Sequence, residues 1–229
     1  MVLAAGRGTR LGDVSLTTPK ILVDICGEPL LARQLTYLER QGADHVVVNA
    51  FHLSQQVRAF AAAYTGPLRL TVSSEPTLLG TAGGVRRALE ALGPHPFVVL
   101  YGDVITDEPL APIAMAHRRS GAAVTLAVYE SDDVAGKGLV MTDSNGYVKR
   151  FVEKDPDAVG PALINAGLYV VDPAPLSEWK AGTSFEFGFD YFPWLLERGD
   201  SIFTYQLAAP VVDVGTPAGL TAGRKRFGG

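Results

Sequence analysis

A chain of 229 residues with 47% hydrophobic and 19% charged residues has the make-up of a globular domain and enough length to bury a sizeable core. No apolar run approaches the roughly 18 residues of a membrane span, and a net charge of -4 argues against a dominant nucleic-acid surface. Cys26 is the single cysteine, so no intrachain disulfide forms, and no charged leader with an apolar core opens the chain, so a cytoplasmic location is expected.

In chain order, hydrophobic periodicity predicts a strand at 1–3, a helix over 29–41, a strand at 45–48, a helix near 54–64, a strand at 68–72, a helix near 82–92 and a strand at 97–100. This alternation predicts a parallel sheet covered on both faces by helices. A helix near 109–119 follows, then an alternating strand at 123–129 and a hairpin whose arms, 139–141 and 147–152, flank Ser144-Asn145-Gly146. The hairpin makes the sheet mixed. The remainder reads as strands at 163–171, 202–207 and 211–214, a helix at 191–198 and a terminal helix opened by Thr216-Pro217. The expected class is α/β, one mixed, mainly parallel sheet sandwiched by helices, in a single domain over 1–229. Cys26 has no His nearby in sequence and is read as a buried bystander. The aromatics Phe185, Phe187, Phe189, Tyr191, Phe192 and Trp194 are expected mostly in the core.

The segment LAAGRGTRLG, from Leu3 to Gly12, followed by Thr18-Pro19-Lys20, carries the strongest functional signal. Gly6 and Gly8 let backbone N–H groups approach an anion, and Arg10 and Lys20 bring cations to the same turn. A Walker P-loop is excluded because no Lys follows Gly12. A dinucleotide fingerprint demands a helix running straight out of the turn, and Thr18-Pro19 forbids a long one, so the chain is expected to loop back toward its start. A polyphosphate cradle and a ligand-free structural turn both remain on this motif alone.

LAAGRGTRLG with its downstream Thr-Pro-Lys resembles the signature of the sugar-1-phosphate nucleotidyltransferases. Further motifs recur in the family's order: Gly80-Thr81-Ala82-Gly83-Gly84, Gly102-Asp103, Val152-Glu153-Lys154, Asn165-Ala166-Gly167, and the run from Val212 to Pro217. The resemblance implies a Rossmann-like fold of the nucleotide-diphospho-sugar transferase type, with a nucleotide-binding half near 1–120 and a sugar-binding half near 121–229. It implies attack of a sugar-1-phosphate oxygen on the α-phosphorus of a nucleoside triphosphate, releasing pyrophosphate. Such transfer asks for positioning and charge neutralisation rather than a side-chain nucleophile, and no Ser-His or Cys-His pair stands out.

The nucleotide side would comprise Leu3, Ala4, Ala5, Gly6, Gly8, Thr9, Arg10, Lys20, Glu75, Gly80, Thr81 and Ala82, with Arg10, Lys20 and Asp103 catalytic. The sugar-phosphate side would comprise Gly138, Glu153, Lys154, Asn165 and Asp190. Asp103 and Asp213, each after an apolar run, would hold Mg²⁺. Glu75 falls where the family reads the nucleobase; a carboxylate only accepts, and guanine offers two adjacent donors, so GTP is favoured. Uridylyl or thymidylyl transfer to a hexose or amino-sugar 1-phosphate is the alternative. The expected partners are an NTP and a sugar-1-phosphate, with no nucleic acid and no membrane, in a monomer or homodimer. One departure stands out: Asp155-Pro156 replaces the proline that more usually follows the lysine directly. Two rival classes remain, a glycosyltransferase, since Asp155-Pro156-Asp157 spells D-x-D, and a non-catalytic nucleotide sensor; the Glu153-Lys154 before that triplet and the proline inside it favour a loop.

Overall fold

Short β-branched runs alternate with amphipathic segments through the first half of the chain, and the runs assemble side by side into one sheet. In the computed structural model, which describes residues 1–228, the elements here are β1 (Val2–Leu3), α1 (Val14–Thr17), β2 (Asp24–Ile25), β3 (Glu28–Pro29), α2 (Leu30–Arg40), β4 (His45–Ala50), α3 (Ser54–Ala63), β5 (Arg69–Ser74), α4 (Gly80–Leu92) and β6 (Phe97–Tyr101). The chain continues as β7 (Val104–Ile105), α5 (Leu110–Ser120), β8 (Val124–Ser131), β9 (Gly138–Thr142), β10 (Val148–Glu153), β11 (Ala162–Val171), α6 (Pro173–Ser177), α7 (Phe192–Arg198), β12 (Ile202–Gln206), β13 (Val212–Asp213) and α8 (Pro217–Phe227).

The main sheet runs β10-β9-β11-β6-β1-β4-β5, with β8 on β11 and β12 on β8. β6, β1, β4 and β5 are parallel neighbours, β12 is parallel to β8, and the β11 pairings and the β9–β10 hairpin are antiparallel. The mixed α/β architecture is the expected one. Alternation along each strand feeds two cores. Val46 and Val48 face a cluster with Leu31, Leu35 and Ile113, while Val47 faces one with Val85, Phe187 and Phe192. The same split separates Leu100 and Leu168 from Val99 and Tyr169. Among the described residues no helix is long and apolar enough to cross a membrane.

Three local features position the site. Thr18 is extended before Pro19, which limits α1 to a single turn and sends the chain back. Gly8, at φ 66°, then sits so close to Lys20 that a Cβ there would stand 3.2 Å from the lysine Cβ. Second, β11 pairs with β8 through Asn165 and again from Tyr169 with a changed register, and Gly167 (φ +69°) lies in the bulge between. On its other edge β11 meets β9 at Leu163 and Ile164 and β6 from Leu168 onward, so the sheet opens between β6 and β9 at the bulge. Third, the expected strand at 211–214 shortens to β13, which pairs with β7 as a separate two-stranded sheet. Cys26 departs from expectation: it is exposed, with φ 54° in the β2–β3 turn.

Candidate active site

One cleft of about 810 Å³ lies at the carboxyl ends of β1, β4 and β6 and continues across the β11 bulge to the start of β9. Open α/β sheets bind ligands at this end of their strands. Leu3, Ala4, Ala5, Gly6, Gly8, Thr9, Arg10, Lys20, Gly80, Thr81 and Asp103, the expected nucleotide-side residues, line the cleft. Gly138, Glu153, Lys154, Asn165 and Asp213 also line it.

The β7–β13 pairing brings together aspartates 110 residues apart in a chain of 229. Val214 N–H donates to the Asp103 carbonyl at 2.8 Å, which fixes the two turns side by side. Lys20 forms an ion pair with Asp103. Arg10 lies between the carboxylates, Nη2 at 3.7 Å from Asp103 and Nη1 at 3.7 Å from Asp213. Gly215 makes room for this cluster: a Cβ there would stand 2.8 Å from an oxygen of each aspartate and against the lysine ammonium. The result is two carboxylates and two cations sharing one corner.

Among the described residues no group of three or more His, Cys, Asp or Glu forms a metal cage. Asp103 and Asp213 offer hard carboxylate oxygens of the kind that hold a divalent cation.

On the opposite wall, Asn165 is oriented by its own neighbours: its Nδ2 donates to the Tyr169 hydroxyl at 2.8 Å and its Oδ1 accepts from Gly167 N–H at 2.9 Å. Glu153 is half-buried, and burial pushes its carboxyl up, with Lys154 opposing the shift and the Glu186 charge adding to it. Lys154 takes φ 58°, a left-handed conformation that costs a non-glycine residue about 1–2 kcal/mol. A proline directly after the lysine would force it out of that region, so Asp155 in the next position and the strained lysine belong together. The Lys154 ammonium lies 5.4 Å from the centre of the Phe189 ring.

Three expected site residues are placed elsewhere. Glu75 is buried, 7% exposed, and is absent from the cleft wall. Its Oε1 accepts from Asn49 Nδ2 at 2.7 Å and its Oε2 from Leu79 N–H at 2.9 Å, so both oxygens are spent inside the protein and neither faces a base. Ala82 is fully buried in the first turn of α4. Asp190 is exposed outside the cleft, where its carboxylate accepts from Glu186 N–H at 2.7 Å and braces the π-helical turn Phe187–Tyr191. The D-x-D triplet is a loop after β10 in which Asp157 N–H donates to Asp155 Oδ1 at 2.9 Å.

The nucleotidyl transferase family model matches residues 1–226 of this chain. The chain belongs to that family. It is 33% identical to the mannose-1-phosphate guanylyltransferase catalytic subunit beta of Xenopus tropicalis, over 97% of this chain and 62% of the relative. It is 31% identical to the UTP–glucose-1-phosphate uridylyltransferase of a Synechocystis strain, over 94% of this chain and 59% of the relative. The chain therefore spans about three fifths of the length of these curated relatives. Among solved structures it is similar to HddC from Yersinia pseudotuberculosis complexed with GMP-PN, with a TM-score of 0.84 and 25% identity over 99% of this chain and 97% of that one.

Within this nucleotidyl transferase domain the cleft also holds residues that sequence reasoning missed. Asn49 ends the apolar run of β4 and lines the cleft, where its Oδ1 accepts Ala4 N–H at 2.6 Å. A lone polar residue closing a Val-Val-Val strand was the available signal. Lys137 and Phe189 line the cleft beside Lys154, and Glu186 lines it opposite Thr81. Glu186 meets its partner across 105 positions, a separation that local pattern cannot bridge.

Proposed function

We propose that this chain transfers a nucleotidyl group from a nucleoside triphosphate, GTP preferred, to a sugar-1-phosphate, giving an NDP-sugar and pyrophosphate. The observation that carries the reading is the opposition, in one cleft, of the Arg10–Lys20–Asp103–Asp213 cluster and the Glu153–Lys154–Asn165 wall. One side suits a triphosphate and the other an acceptor that is anionic at one end and hydroxylated at the other. With Glu75 occupied internally, the preference for GTP rests on the guanylyltransferase relatives and on the GMP-PN complex of a similar fold.

The loop Gly6 to Arg10 offers backbone N–H groups and the Arg10 fork to the β- and γ-phosphates. Lys20, released from part of its attraction to Asp103 as phosphate oxygens approach, neutralises charge near the α-phosphate. Asp103 and Asp213 would hold Mg²⁺, which supplies Lewis-acid neutralisation between the two anions when bound. Lys154 holds the acceptor phosphate, and Glu153 accepts hydrogen bonds from sugar hydroxyls. Both substrates arrive aligned, and no covalent enzyme intermediate is required.

A matrix of GTP, UTP, dTTP, ATP and CTP against hexose and amino-sugar 1-phosphates, read by pyrophosphate release, tests this reading. Fastest turnover with GTP is expected. Equal or faster turnover with UTP removes the guanine preference and favours the uridylyltransferase relatives, and no pyrophosphate from any pair refutes nucleotidyl transfer.

The strained lysine gives a second test. Lys154→Asn places a residue tolerant of left-handed backbone at φ 58° and deletes the cation. The melting temperature is expected to stay level or rise by roughly 1–3 °C, while kcat/KM for the sugar-1-phosphate falls by about 10²-fold. Wild-type kcat/KM in this variant would remove Lys154 from the acceptor site.

A further inference from the structure

Glu186 belongs to none of the sequence motifs, yet it lines the cleft between Thr81 on one side and Gly188 on the other. Its Oε2 is fully engaged, accepting from Thr81 N–H at 2.9 Å and from the Thr81 hydroxyl at 2.6 Å. The Thr81 oxygen in turn accepts Phe187 N–H at 2.9 Å. Gly83 N–H to Phe185 O and Phe185 N–H to Leu79 O, both 3.0 Å, extend the seam. The chain around Glu186 is thereby zipped onto the first turn of α4, with a carboxylate already satisfying that helix N-terminus. An incoming phosphate would meet a negative charge there, which leaves phosphate binding to the Gly6 to Arg10 loop and the lysines.

The other oxygen is different. Among the described residues Oε1 of Glu186 accepts no hydrogen bond, and a Cβ on Gly80 would approach it to 3.1 Å. Glu153 lines the same cleft, and the glycines at 138 and 188 make room for its carboxylate: a Cβ at Gly138 would stand 3.0 Å from its Oε2 and one at Gly188 closer still. The charge of Glu186 is felt at Glu153. A carboxylate oxygen accepts, so the two oxygens call for donors that a ligand in the cleft can supply. A sugar ring presents such donors on neighbouring carbons.

We propose that Glu186 is a specificity-determining residue of the acceptor subsite, its free Oε1 accepting from a ring hydroxyl different from the one read by Glu153. Together the carboxylates select a fully hydroxylated hexose 1-phosphate over deoxy counterparts. The inference rests on the sugar-1-phosphate reading above.

The test compares the preferred hexose 1-phosphate with its monodeoxy analogues in wild type and in Glu186→Gln. Glutamine keeps one acceptor oxygen for Thr81, so the seam persists, and turns an amide donor toward the sugar. In wild type two ring positions are expected to cost roughly 10- to 100-fold in kcat/KM when deoxygenated. In Glu186→Gln one of these penalties is expected to collapse toward unity while the other persists and KM for the NTP stays unchanged. If the glutamine variant fails to fold, Glu186→Asp, which withdraws the charge by one methylene, is expected to shrink the same penalty. An identical deoxy profile in variant and wild type, or a parallel rise in KM for the NTP, overturns the inference. Failure of wild type with every sugar-1-phosphate overturns the transfer reading as well, so the two failures are distinguishable.

Discussion

Asp103→Asn is expected to lower turnover by about 10³-fold while leaving the melting temperature within roughly 3 °C of wild type. The substitution preserves shape and one acceptor and removes only charge. Asp103 attracts two cations in the free protein, Lys20 by direct ion pair and Arg10 at 3.7 Å, so it is the negative pole of the corner that the proposed transfer uses. Both side chains of the Lys20 pair are largely shielded, 15% and 17% exposed, so loss of the charge is only weakly compensated by water. The change in stability is held down because the amide oxygen of the asparagine can still accept from the Lys20 ammonium, Asp213 keeps its contact with Arg10, and the β7–β13 pairing is made by backbone. A purely anchoring role, in which Asp103 serves only to place Lys20, makes a different forecast. Lys20→Met would then cost as much as the Lys20→Met/Asp103→Asn pair, whereas separate contributions make the double variant worse than either single one. Pyrophosphate release under saturating substrates reads the difference, and wild-type turnover in Asp103→Asn would remove the carboxylate from the reaction altogether.

The parts of the site that were legible in sequence are those where backbone chemistry is local. Gly8 at a positive φ, Pro19 ending α1, Asp103 in the turn after the apolar strand β6 and Asp213 at the end of β13 follow from rules that act over a few residues. The sheet was legible for the same reason, since the alternation of Val46, Val47 and Val48 between two cores is printed in the chain. What escaped was the partner of each polar group. Glu75 sits at a plausible distance from Gly80 to read a base, but only the fold shows that Asn49 and Leu79 take both of its oxygens. Asp190, expected at the sugar, braces a turn outside the cleft, while Glu186, four residues earlier, lines it. In a π-helical turn, residues do not follow the period of an α-helix or a strand, so neither resemblance nor periodicity shows which carboxylate of this turn lines the cleft.

Glu75→Ala is expected to lower the melting temperature by roughly 6–12 °C, as a loss of about 3 kcal/mol in a chain of this size. The reason is the direction of the hydrogen bonds. Ala4 N–H donates to Asn49 Oδ1 at 2.6 Å, Asn49 Nδ2 donates to Glu75 Oε1, and Leu79 N–H donates to Glu75 Oε2. Both outer ends are backbone donors, so the network closes only on a group with two acceptors and no proton. Glu75→Gln keeps the volume and still sets one donor against another; turning Asn49 over merely moves the conflict to Ala4, the first residue of the nucleotide loop. The glutamine variant is therefore expected to lose about 1–3 kcal/mol and to raise KM for the NTP more than KM for the sugar-1-phosphate. Burial pushes the Glu75 carboxyl up despite the hydrogen bonds that favour its ionised form, so stability and function respond to pH with opposite signs. The ionised form is less favoured in the fold than in the unfolded chain, so its share of stability is greatest below the ordinary carboxylate range and is given up as pH rises through the raised value. Protonation introduces an O–H where an N–H already points, so nucleotide affinity is expected to weaken as pH falls through the same window. Urea unfolding and NTP titration across that window in wild type and Glu75→Gln separate the two slopes; an NTP affinity equally flat in both proteins would leave Glu75 with no role in positioning the loop.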